Sequence, residues 1–448
     1  MTKKQFKHDF LRGLGSALIE LQSSDNPKQF YDTVLYGCLH NTTYDMQCEG
    51  DRGWYLYQAA RYIGEKEKIE SAVIQKSFQI KDDHWLFDQL TSILYQFATD
   101  GSDTARTALY QQYESILKEL SPRKRKMNGT YPRRDMFDWL CVWLTSLDGW
   151  SMFKRNVHDV SETLLPKDED RFFSEWFYDN SKGKFGKERI ENYLQKQSKK
   201  STSTRTYYEK ANEWDKHMYT DERPVPTLEQ VLAEADGQQY HGRGLAMRFA
   251  RCASPEELLK LVHAAMNESD IQKKIELLWP FRRVTNLSFP ENALLELHQS
   301  GDDRLRDIAF EIMGQNPSSQ TREIALSLIQ SGEDIENGLS LLSKNLRPEG
   351  EGLFYTAVKT FPVHHDEWAW HSAFTAAKDG ITVMRGKPKT DILEYIYRQM
   401  LCGSCREYTV RLMHKKKVIP DKILQECRFD SNSDVRAFAE RIIRFRKN

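Results

Sequence analysis

The chain has 448 residues, enough for about three ordinary domains or one long stack of repeats. Apolar residues make up 39% and charged residues 29%, with Lys plus Arg and Asp plus Glu at 65 each. That balance suits an elongated stack of helices, which exposes more surface per residue than a sphere, and the neutral total removes any whole-chain case for nucleic acid or membrane.

From the N-terminus, Lys3, Lys4, Lys7 and Arg12 break up the apolar residues, so the first segment lacks the apolar core of a signal peptide. No apolar run approaches the roughly 20 residues that a membrane span needs. The seven cysteines, Cys38, Cys48, Cys141, Cys252, Cys402, Cys405 and Cys427, are odd in number and scattered. That pattern fits free thiols in a reducing compartment, and a cytoplasmic location is expected.

Phe6, Phe10, Leu14, Ala17, Leu18 and Leu21 recur at spacings of three and four, which places them on one helix face. Asn26-Pro27 marks a new start, since Asn caps and Pro fits a first turn. The same periodicity predicts helices over Trp54–Ile63, Ile69–Phe78, Trp85–Phe97 and Ala105–Leu120. No period-two alternation is sustained anywhere, so the expected class is all-α.

From Tyr240 onward the pattern becomes rhythmic. First helices are expected near His241, Asp270, Asp302, Glu333, Asp366, Cys402 and Ser433. Second helices are expected over Pro255–Met266, Pro290–Gln299, Ser318–Gln330 and Gly350–Phe361. Steps of roughly 30 to 40 residues are those of helical hairpins, each of which buries its apolar stripe only by stacking on the next.

Two segments carry a closer likeness. Asp302-Asp303-Arg304-Leu305-Arg306-Asp307-Ile308-Ala309 and Ser433-Asp434-Val435-Arg436-Ala437-Phe438-Ala439 resemble the HEAT-repeat signature: an acidic residue, an aliphatic-Arg pair, and Ala three residues after the Arg. Gln320-Thr321-Arg322-Glu323-Ile324-Ala325 is a weaker echo. The acid suits the orphan amides of a helix start, and the small Ala lets a neighbouring helix approach. Arg306, Ala309, Arg436 and Ala439 are therefore read as repeat-structural residues. The chain is similar to uncharacterised bacterial HEAT-repeat proteins. That resemblance implies an α-solenoid of antiparallel helical hairpins in the C-terminal half, with the N-terminal half a distinct helical unit.

The stretch 181–226 is rich in Lys, Ser and Thr and ends in Pro224-Val225-Pro226. Its composition predicts a basic, polar linker or mobile loop between a helical domain 1–180 and a repeat domain 227–448. Most tryptophans precede that boundary, which marks the N-terminal half as differently packed.

No motif carries catalysis: there is no Walker loop, no Gly-x-Ser-x-Gly elbow and no His-Glu-x-x-His. Cys402, Cys405, His414 and Cys427 hold ligand-type side chains but match no zinc spacing, and they read as packing residues. In 364–371, Asp366 reads as a cap and Trp368 as a packing residue. No cofactor and no metal site is expected.

Basic clusters remain. Arg123, Lys124, Arg125, Lys126, Arg133 and Arg134 place six positive charges on an expected loop with no acid between them. Lys182 to Lys210 holds nine more, and Arg441, Arg444, Arg446 and Lys447 close the chain. Such groups can neutralise phosphates, with Tyr131, Tyr207 and Tyr208 as stacking faces. The leading expectation is a non-enzymatic scaffold or adaptor whose partner is a protein, engaged without any membrane. The alternative is a nucleic-acid-binding HEAT-like protein such as a DNA glycosylase for alkylated bases, by analogy of architecture. Basic and aromatic residues converging on an acid would favour that alternative.

Overall fold

The computed structural model describes residues 1–46, 52–120, 132–164, 173–219, 225–235, 242–282, 284, 289–361, 367–384, 386–388 and 390–447. Among them the chain is all-α, with 26 α-helices and no strand. No helix among the described residues is long and apolar enough to cross a membrane. Two compact units emerge. One comprises 1–221, 401–407 and 420–448, the other 222–400 and 408–419.

The first unit opens with α1 (Lys3–Leu11), α2 (Gly15–Ser23) and α3 (Tyr31–Leu39). Thr2 caps α1 by accepting from the Gln5 amide at 3.2 Å, and Pro27 begins a short 3-10 turn. Phe6 stacks on Phe30 at 4.0 Å, and Phe10 meets Tyr55 at 5.4 Å. The apolar stripe read from spacing is thus the buried face. The helices α4 (Gly53–Tyr62), α5 (Lys66–Gln79), α6 (His84–Thr99) and α7 (Asp103–Leu120) cover the four expected runs, with Ile63 as the C-cap of α4.

Helix α6 is the axis of this unit. It packs against α3, α4, α5, α7 and α8 (Pro132–Asp148), and it is buried over most of its circumference. Two of its buried polar residues are therefore tied to neighbouring helices. The Trp143 indole donates to Asp88 Oδ1 at 3.0 Å, and Gln89 donates to the carbonyls of Gly37 and His40 at 3.1 and 3.2 Å.

The expected linker is largely helical. After α9 (Trp150–Asp159) come α10 (Glu175–Phe185), α11 (Lys187–Ser198) and α12 (Thr202–Tyr219). Sparse apolar pairs at helical spacing, Ile190 with Leu194 and Tyr207 with Ala211, are buried in the unit's core. Most of the lysines occupy the exposed faces, while Ser181 and Ser198 are buried with the apolar residues, and composition therefore pointed to a loop. Residues 220–224 lie outside the described residues.

The C-terminal segment is shared between the two units. Residues 401–407 and 420–448 belong with the N-terminal helices and not with 227–400. The last hairpin, α25 (Asp421–Cys427) and α26 (Ser433–Lys447), rests on α2 and its preceding turn. Gly13 has φ +76°, and a Cβ there would lie 2.0 Å from Ser431 Oγ. A Cβ on Gly15 would lie 2.0 Å from the Glu426 carbonyl. Both positions require glycine for this approach. The Arg406 guanidinium forms a two-pronged ion pair with Asp430 at 3.1 and 2.9 Å, and both side chains are fully buried.

The second unit consists mainly of α13 to α23, spanning Leu228 to Gln399. Its helices start at Gly242, Ile271, Asp303, Ile335 and Glu367, within two residues of the sequence reading. Side chains cap most of these starts. Ser254 and Glu257 form a capping box at Pro255–Asn267, and Asp270, Asp302, Ser318 and Asp334 each accept a first-turn amide.

Candidate functional site

The basic cluster divides at the edge of the described residues. Arg123, Lys124, Arg125, Lys126 and Tyr131 lie outside them. Arg133 and Arg134 belong to the first turn of α8 rather than to a loop, and each is engaged. Arg133 donates to the Ile80 carbonyl at 3.3 Å and pairs with Glu119 at 3.4 Å. Arg134 donates through Nη2 to the Phe173 carbonyl at 2.8 Å.

The second basic stretch is similarly tied down. Lys182 pairs with Asp179 and Asp215 at 2.7 and 2.6 Å. Lys184 donates to the carbonyls of Thr145 and Ser146, and Arg189 lies 4.3 Å over the Trp150 ring. Tyr207 is buried and offers no stacking face, whereas Tyr208 is half-buried. At the C-terminus Arg446 pairs with Asp421, and Arg441 lies over Phe438. Of the cysteines in the Cys402 pattern, Cys402 and Cys427 are buried and Cys405 is half-buried.

The repeat arginines have a common geometry. Arg306 Nη1 donates to the Ser300 carbonyl at 3.1 Å, and Arg436 Nη1 donates to the carbonyls of Asp430 and Ser431 at 2.7 Å. Each guanidinium thus folds back onto the turn preceding its own helix. Ala309 and Ala439, three residues on, are fully buried. Arg436 also lies 4.1 Å over the Trp54 ring. Arg406 repeats the pattern by donating to the Leu401 carbonyl at 3.1 Å, although its segment lacks the acidic residue that would have revealed it.

A site that sequence reasoning missed lies where the first turns of α6 and α10 approach the middle of α8. His84 and Trp85 open α6, and Trp85 is 6.2 Å from Trp139 of α8. Trp139 meets Trp176 of α10 edge-to-face, with ring centroids 4.1 Å apart and planes at 69°. Trp85 and Trp139 are half-buried, and Trp176 is 42% exposed. None of the three indole N–H groups has a partner among the described residues.

Carboxylates border this run. Asp138, on the same helix as Trp139, has its proton affinity pushed up to about 7. Desolvation is the main cause, and the like charges of Asp135 and Glu175 add to it. Arg134, with Nε 3.7 Å from Asp138 Oδ2, and a hydrogen bond with Ser174 pull the other way. Near neutrality this carboxyl is divided between its two protonation states, so it can accept or release a proton. The i,i+4 pairs Arg134/Asp138 and Asp135/Trp139 were visible in sequence. The meeting of Trp139 with Trp176, and the presence of Ser174 beside Asp138, were not.

No protein-family model matches this chain, and none of the curated proteins matches it.

Proposed function

We propose that this protein is a non-enzymatic, cytoplasmic binding scaffold of the HEAT-repeat type, and that a partner protein docks on the Trp85–Trp139–Trp176 run. The exposure of Trp176 carries this reading: a large indole packed on a second one and still 42% exposed is the kind of anchor that dominates protein interfaces. The rhythm of helix starts in 242–367, at steps of roughly 30 residues, supports the repeat assignment. So do the matching bonds of Arg306 and Arg436 to their preceding turns.

The second reading, nucleic-acid binding, draws on the convergence of Arg134, Asp138 and two tryptophans. It is the weaker one. Arg133 and Arg134 already donate to backbone carbonyls and face carboxylates, so phosphate contact would break existing bonds. Affinity capture with the wild type and with Trp176→Ala, followed by mass spectrometry and nucleic-acid recovery, tests both. A protein retained by the wild type and lost in the variant supports docking at this run. Nucleic acid retained by the wild type and lost in the variant supports the second reading.

A further inference from the structure

We propose that the Trp139–Trp176 corner binds a cationic side chain, Arg or Lys, presented by the partner. This inference rests on the docking reading above and specifies what that surface recognises.

Two observations carry it. The first is shape and polarity. Two indoles meeting at 69° form two walls of a corner, and the ring faces carry the negative lobes of the aromatic quadrupole. A guanidinium or ammonium within about 6 Å of such a face is attracted, most strongly by tryptophan. The second is the local charge. Asp135 precedes Trp139 by four residues and so lies on the same side of α8, and Glu175 immediately precedes Trp176. Neither carboxylate has an ion pair or hydrogen bond among the described residues. Both also push up the proton affinity of Asp138, so their negative field reaches that carboxyl, where Arg134 opposes it. Among the described residues, the cation that faces Asp138 is Arg134, and it is already bonded to the Phe173 carbonyl. An anion would meet this field unfavourably, and a cation would complete it.

Asp135 and Glu175 also complement the positive ends of their helices. That role accounts for a carboxylate in each first turn. It does not account for a half-buried tryptophan beside Asp135 and an exposed one beside Glu175.

The test uses the full chain and three synthetic peptides, Ac-Gly-X-Gly-NH2 with X as Arg, Glu or Leu, followed through the indole N–H resonances of Trp139 and Trp176. The Arg peptide is expected to shift both resonances saturably and the Glu peptide to shift neither. Trp176→Ala is expected to weaken Arg-peptide binding about tenfold and Glu175→Gln by about threefold, the second variant keeping the aromatic corner intact. Equal binding of the Arg and Leu peptides would overturn the cation proposal and leave an apolar docking surface standing. Binding of none of the peptides overturns it as well. If a single-stranded oligonucleotide shifts the same resonances while the Arg peptide does not, both the proposal and the protein-docking reading fall.

Discussion

The backbone N–H of Ser431 donates to the carbonyl of Gly13 at 2.8 Å, which ties the last helical hairpin to the turn between the first two helices. Neighbouring carbonyls of that turn are engaged as well: Arg52 donates to Leu11 at 2.8 Å, and the Tyr55 hydroxyl donates to Leu14 at 2.9 Å. The turn is a hub on which the core of the first unit closes.

Gly13→Ala is therefore expected to be strongly destabilising. The left-handed backbone alone costs about 1–3 kcal/mol for a non-glycine residue, and the overlap with Ser431 adds to it. Urea unfolding measures the sum. An unchanged midpoint would show that the hairpin does not rest on this turn.

Arg406 and Asp430 make a separate case. Replacing Arg406 by Met leaves a buried carboxylate without its partner, at an expected loss of about 3–5 kcal/mol. The double variant Arg406→Met, Asp430→Leu should recover much of that loss, because it removes both charges. A single variant as stable as the wild type would mean that water reaches the pair.

Arg306→Ala and Arg436→Ala should each cost about 1–3 kcal/mol, the range for a damaged hydrogen-bonding or packing site. Arg436→Ala should be the costlier, since it also uncovers the Trp54 face and loses two carbonyl bonds. Thermal unfolding orders the two. Unchanged melting together with lost partner binding would reassign either arginine from scaffold to interface.

Asp138 sets a pH dependence. Its affinity for a proton is pushed from the ordinary 3.8 up to about 7, so between those values the folded chain holds a proton that the unfolded chain has released. Stability contributed by this group therefore falls as pH rises through that window, by about 1.4 kcal/mol for each unit spanned. Asp138→Asn should be more stable than the wild type at pH 8 and nearly equal to it at pH 4. A difference in melting temperature that stays constant from pH 4 to 8 would refute the assignment.

The segment Arg123 to Lys126 yields an expectation through its charge alone. No nucleic-acid binding should be measurable at physiological salt. If binding does occur at low salt, replacing Arg123, Lys124, Arg125 and Lys126 by Ser should weaken it and flatten its salt slope, because phosphate contacts release counterions. A salt titration on one duplex and one single strand decides. Tight binding that ignores both salt and substitution would place the contact elsewhere.

That the chain is helical, and where most of its helices begin, was legible residue by residue. Apolar spacing and capping residues act within a few turns, so Phe6 and Phe10, or the caps at Asp270, Asp302 and Asp334, could be read locally. Composition misled at 181–219, because few apolar residues suffice for a helix face once a larger core covers them. Which faces meet was settled by long-range packing. An amphipathic stripe specifies that one side is buried, not against what, so the return of 420–448 to the N-terminal helices was invisible. The same limit hid the site. Trp139 and Trp176 lie on separate helices, and their contact depends on how α8 and α10 pack, which no local periodicity encodes.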